Sequence, residues 1–122
     1  MAAEQDVDGG PVVFECSAEG PEVRGVSSAL DLIGEAWGTG AEVVVVPVER
    51  VADDFFSLRS GVAGDLTQKF AQYGVRLVVL GDISDRVARG TALRDFVREA
   101  NRGRHVWFAA TREELAARLA AG

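Results

Sequence analysis

The residues able to do chemistry crowd into two short stretches. Asp53, Asp54, Ser57, Arg59 and Ser60 fall between Pro47 and Gly61, and Asp82, Ser84, Asp85 and Arg86 follow further on. Paired carboxylates can divide the work of proton transfer, because a neighbouring charge, or an apolar wall such as Phe55 or Phe56, pushes one of them to a raised pKa. Arg59-Ser60-Gly61 opens a helical run, so unpaired backbone N–H groups and a guanidinium there can hold an anion or a developing oxyanion. The same residues have structural uses. Aspartate after a strand commonly closes a turn, and Ser60, Gly61 and Gly64 read equally as an N-cap on a closely packed helix. The stretch lacks the glycine spacing and lysine of a P-loop. Ser60 is also a hydroxyl open to phosphorylation where it is exposed.

The softer chemistry is thin. His105 is the sole histidine and Cys16 the sole cysteine, so no metal site is expected, and the aspartates lack the EF-hand spacing. No cofactor motif is present either. A Ser-His-Asp triad would need His105, which opens a strand at the sheet edge opposite the serines; the geometry excludes it. His105, Tyr73 and Arg104 form a second-edge set of acid/base candidates, with a structural histidine as the alternative. Trp37 and Trp107 read as core or interface anchors, and Cys16 as a small buried strand residue.

These residues need elements to hold them. Asp8-Gly9-Gly10-Pro11 is a turn signal between a weak first segment and the run Val12 to Cys16, which predicts an N-terminal hairpin. Ser28 and Asp31 resemble a capping box for a helix with stripe Leu30, Ile33 and Trp37, ended by Gly38 and Gly40. Val43 to Val46 is apolar on both faces, as in a central parallel strand covered on both sides. Val62, Leu66, Phe70 and Tyr73 stripe a second helix closed by Gly74, and Val75 to Leu80 is the next strand. A looser segment, Asp85 to Gly90, precedes a third helix with stripe Leu93, Phe96, Val97 and Ala100, stopped by Gly103. His105 to Ala110 is a last strand, and Thr111 with Glu114 caps a fourth helix.

The expected fold is one α/β domain over residues 1–122, in the order β-β-α-β-α-β-α-β-α, with a mostly parallel sheet of about four to five strands. Chain direction then sorts the polar residues. Asp53, Asp54, Ser57, Arg59, Ser60, Asp82, Ser84, Asp85 and Arg86 lie at the carboxyl edge, where open α/β sheets place ligands. Tyr73, Asn101, Arg102, Arg104 and His105 lie at the other.

The chain has 122 residues, 48% apolar and 26% charged, with a formal net charge of -6. That acidity argues against nucleic-acid binding. No apolar run approaches the ~20 residues of a membrane span, and Met1 to Asp6 carries no signal-peptide core. A cytoplasmic protein is expected, with a homodimer as a natural way to cover edge strands.

Asp54-Phe55-Phe56-Ser57-Leu58-Arg59-Ser60-Gly61-Val62-Ala63-Gly64-Asp65, with Gln68-Lys69-Phe70, Gly81-Asp82, Leu93-Arg94-Asp95-Phe96 and Asn101-Arg102-Gly103-Arg104-His105, resembles the bacterial domain of unknown function 4180 family. The likeness runs from about Ser28 to Trp107. It departs at Arg59 and Ser60, where the family pattern has lysine and threonine, and in a shorter first strand. The element order is also similar to sulfate-transporter and anti-sigma-antagonist (STAS-like) domains, in which a serine or threonine beside a glycine opening the second helix is a phosphorylated switch; Ser60 holds that place.

The first resemblance implies a small cofactor-free lyase, a dehydratase or conjugate-addition cyclase acting on a hydroxylated carbonyl intermediate of natural-product biosynthesis. Asp53, Asp54, Asp82 and Arg59 would be its catalytic residues, and Phe55, Phe56, Ser57, Ser60, Gly61 and Ser84 its binding residues. The second implies a regulatory module that binds a protein partner and is switched at Ser60.

Overall fold

The computed structural model describes the backbone of residues 3–6 and, with side chains, residues 12–121. Its strands are β1 (Ala3–Asp6), β2 (Val12–Glu15), β3 (Val43–Pro47), β4 (Arg76–Leu80) and β5 (Val106–Ala109). Its helices are α1 (Val26–Thr39), α2 (Val62–Tyr73), α3 (Ser84–Ala88), α4 (Thr91–Arg102) and α5 (Arg112–Ala121). Three single 3₁₀ turns, Val48–Arg50, Asp53–Phe56 and Leu58–Ser60, carry the chain from β3 to α2.

The five strands lie side by side in chain order, β2 to β5 parallel and β1 antiparallel to β2. The expected hairpin is therefore formed, with Ala3 opposite Glu15 and Asp6 opposite Val12; its Asp8–Pro11 turn lies outside the described residues. A sheet that grows one neighbour at a time by right-handed crossovers puts every crossover helix on the same face. The core divides accordingly. On one face Phe14, Val44, Val46, Leu77, Val79 and Phe108 meet Ala29, Leu32, Ile33 and Ala36 of α1, Ala63, Leu66 and Phe70 of α2, and Leu93 of α4. On the other face Val13, Val43, Val45, Val78 and Trp107 meet Leu115 and Leu119 of α5. No residue of Val43 to Val46 is more than 1% exposed, so the four valines are covered on both sides, as their pattern requires.

Two features of α1 depart from expectation. The helix starts at Val26 with Gly25 as N-cap, so Ser28 sits within the first turn. Its hydroxyl accepts from the Arg24 N–H (3.1 Å) and donates to the Glu22 carbonyl (3.4 Å). The buried stripe is Ala29, Leu32, Ile33 and Ala36, the i, i+3, i+4, i+7 spacing of a core face. Leu30 (42%) and Trp37 (59%) are exposed, and Trp37 stands edge-on to Tyr73 at 5.3 Å between ring centroids. Ala29 and Ala36 are fully buried with Leu32 and Ile33, while Leu30 and Trp37 fall off that face.

The remaining elements fall close to their expected places. α2 spans the expected residues, and Gly74 takes the left-handed conformation (φ 67°) that ends it. Most of Asp85 to Gly90, expected to be loose, lies in the short helix α3, which begins at Ser84. At α5, Thr111 Oγ1 accepts from the Glu114 N–H (3.1 Å) while Glu114 Oε2 accepts from the Ala110 N–H (2.8 Å), a reciprocal cap.

Candidate functional site

The carboxyl edge is built by the way the chain leaves β3 and β4. After β3, Val51 forms a parallel bridge with Val23, closed by hydrogen bonds from Val23 N–H to the Arg50 carbonyl (2.6 Å) and from Ala52 N–H to the Val23 carbonyl (2.9 Å). The next 3₁₀ turn then buries Phe55 (0%) and Phe56 (9%), so Asp53 and Asp54 of the same turn face solvent. Ser60 fastens the end of the loop. Its Oγ lies 2.6 Å from the Asp54 carbonyl and 2.7 Å from that of Ser57, and accepts from the Val62 N–H at 3.1 Å.

β4 is followed by Gly81, whose φ of 144° turns the chain toward α3 beside Val48. Between these two exits and the start of α4 lies a cleft of about 900 Å³. Phe56, Leu58 and Leu93 give it apolar wall, and six charged side chains line it: Asp53, Asp82, Asp85, Arg59, Arg86 and Arg89. That volume is within the range of small-molecule sites.

The charges are arranged unevenly. Arg86 Nη1 donates to Asp53 Oδ1 at 2.9 Å, and its guanidinium lies 4.3 Å from the centre of the Phe56 ring. Asp53 is 91% exposed in that pair, which makes the ion pair weak, worth about 0–1 kcal/mol, and open to competition from an anionic ligand. Asp82 Oδ1 accepts from the Ser84 N–H at 2.9 Å, and hydrogen bonding to Ser84 holds the carboxyl below its ordinary value of 3.8. It is therefore a carboxylate at neutral pH, shifted in the direction opposite to the raised pKa that a carboxylate pair or an apolar wall predicts, because Ser84 donates to its charged form. Arg86 alone of the three cleft arginines is paired among the described residues, which leaves Arg59 and Arg89 as open donors.

Of the expected site residues, Asp53, Asp82, Arg59, Phe56 and Ser57 line the cleft. Others do not. Asp54 is exposed outside the lining, and its contribution is the carbonyl that meets Ser60. Phe55 is a core residue, 5.2 Å from Phe56 and 6.1 Å from Phe108 between ring centroids. Gly61, with φ 79°, is the N-cap of α2 in the place expected of Ser60. Ser84 offers its backbone N–H to Asp82.

At the opposite edge Arg104 and His105 line a smaller pocket of about 230 Å³ with Arg76 and Glu42, while Tyr73 packs on Trp37 instead. His105 precedes β5 and the serine loop follows β3, so no triad forms. Arg89, Leu58 and Leu93 line the cleft although none was expected among the site residues. The spacing Arg86-x-x-Arg89 is the available signal, since i and i+3 share a helical face, but it required a helix at a segment read as loose. Among the described residues no three His, Cys, Asp or Glu side chains converge as a metal set, and no helix is long and apolar enough to cross a membrane.

A family model described as a domain of unknown function (DUF4180) matches residues 9–119. The chain belongs to the DUF4180 family. The match takes in both exits that build the cleft, the second-edge pocket and most of α5, so the DUF4180 unit includes the helix that covers the second face of the sheet. No curated protein and no solved structure matches the chain.

Proposed function

We propose that the DUF4180 chain is a cofactor-independent acid/base enzyme, a dehydratase or conjugate-addition cyclase, acting on a small hydroxylated carbonyl compound in the carboxyl-edge cleft. One observation carries this reading: an ionised carboxylate, Asp82, and two open guanidiniums, Arg59 and Arg89, share a ligand-sized cleft with an apolar wall. In a dehydration, the Asp82 carboxylate takes the proton α to the carbonyl, and the C–H electron pair moves into an enolate. Arg59 neutralises the oxyanion. The enolate electrons then form the C=C bond as the β C–O bond breaks, and the departing hydroxide takes the proton back from Asp82 to leave as water. Conjugate addition of an internal hydroxyl uses the same groups in reverse, with Asp82 receiving the hydroxyl proton. The Asp53–Arg86 pair borders the site, and a substrate anion displaces it at small cost.

The competing reading is a STAS-like regulatory module switched at Ser60. The Ser60 hydroxyl is already engaged with two carbonyls and the Val62 N–H, which favours a structural serine and hence the ligand-binding cleft. The test is turnover of a β-hydroxy carbonyl panel, followed by loss of the α-proton signal in NMR. Asp82→Asn should lower kcat by roughly 10²–10⁴-fold, and Arg59→Ala should lower kcat/KM. Unchanged turnover in both variants, or no turnover together with a partner protein lost on Ser60→Asp, would overturn the enzyme.

A further inference from the structure

The amino edge carries a feature that the cleft does not use. Arg76, Arg104 and His105 line the pocket of about 230 Å³ there, and Arg118, outside the lining, is near enough to act on the charge of Arg76. Glu42 is the one carboxylate lining that pocket. In a chain of net charge -6, a gathering of arginines in which the three guanidiniums form no ion pair with a carboxylate among the described residues is costly by itself.

The geometry holds the cations in place. Arg76 and Arg118 both lie over the indole ring of Trp107, 4.0 Å and 3.9 Å from its centre. Arg76 Nε donates to the Arg104 carbonyl at 2.7 Å, and Arg118 Nη2 donates to the Asn101 carbonyl. The Arg76 Nη pair and the whole Arg104 fork are left without an acceptor among the described residues. Burial first, then the charges of Arg104 and Arg118, push the Arg76 guanidinium below its usual value, with Glu42 acting the other way. An anion held in the pocket by Arg76 and Arg104 offsets the repulsion between those two guanidiniums.

We propose that this amino-edge pocket is an oxyanion site, selective for inorganic phosphate or the phosphate group of a phosphomonoester. Arginine suits that ligand because its planar fork matches two phosphate oxygens at once. The pocket is below the roughly 300–1,000 Å³ of drug-sized ligand sites, so it takes a small anion or one group of a larger molecule. His105 at the rim is a further donor. The site is independent of the carboxyl-edge cleft.

The experiment is a titration of the full chain with sodium phosphate against sodium chloride at matched ionic strength, read from the Trp107 indole and His105 NMR signals. Phosphate should give saturable shifts that chloride does not. The exposed Arg104→Gln variant, which keeps the backbone carbonyl that Arg76 uses, should weaken phosphate binding at least about tenfold by losing charge-assisted bonds. Arg59→Ala, at the other edge, should bind as the wild type does. A phenyl phosphate arm that saturates the same signals assigns the site to phosphomonoesters, and one that fails assigns it to free phosphate. Equal shifts in chloride, no saturation, or unaltered binding by Arg104→Gln would overturn the proposal.

Discussion

Gly81 shows how much of the site depends on a single atom. Its φ of 144° is a conformation that L side chains rarely adopt, and an added Cβ would collide with Val48 Cγ1. Val48 is β-branched and packed against the core, so it has little room to yield. Gly81→Ala should destabilise the protein by roughly 1–3 kcal/mol, combining backbone strain with overpacking. Urea denaturation would show this as a lower midpoint at unchanged slope. The residue beside it, Asp82, owes its low pKa to Ser84, so a change that shifts the start of α3 also changes the acidity of the proposed base. At this scale the sequence is only partly legible. Asp53 and Asp54 are adjacent in one 3₁₀ turn, where successive side chains point about 120° apart; type and position alone cannot say which one faces the cleft. The same turn sends Phe55 into the core and leaves Phe56 at the cleft wall.

At the scale of elements, the strands and the long helices were readable because their apolar periods are strong. α2 is bracketed by Gly61 and Gly74, both left-handed, and buries Leu66 and Phe70 of the expected stripe together with Ala63, while Val62 and Tyr73 are half-buried. α1 was harder. Ser28 imitates a cap, yet the stripe begins at Ala29 and needs a turn ahead of it, and the helix therefore starts at Val26. Small residues at 29 and 36 carry no strong hydrophobic signal although they are fully buried. α3 has five residues, too few for a period to show. α5 is a different case: among the described residues it alone supplies helical residues to the second face of the sheet, and its start depends on Thr111 and Glu114. Thr111→Ala should cost about 0.5–2 kcal/mol, the usual value of a lost N-cap. Amide exchange should rise first in α5 and in the strand amides near Trp107. Exchange rising uniformly across the chain would contradict that order.

Across the whole molecule, arginines without an ion-pair partner among the described residues occur at both edges of the sheet. An acidic chain places open arginines at both ends of its parallel strands, Arg59 and Arg89 at the carboxyl edge and Arg76 and Arg104 at the amino edge. Chain direction was enough to sort the residues onto these edges, which is why the cleft's main groups were legible. The partners that complete each cluster came from α3 and from the α5 residue Arg118, whose placement only packing decides. The proposed activity belongs to the carboxyl edge. The most direct test is a ¹H–¹⁵N chemical-shift titration of the full chain with the β-hydroxy carbonyl panel. The account predicts shifts concentrated at residues 53–59 and 82–93, abolished in Arg59→Ala; shifts confined to the outer face of α1 around Trp37, or equal shifts in the variant, would contradict it.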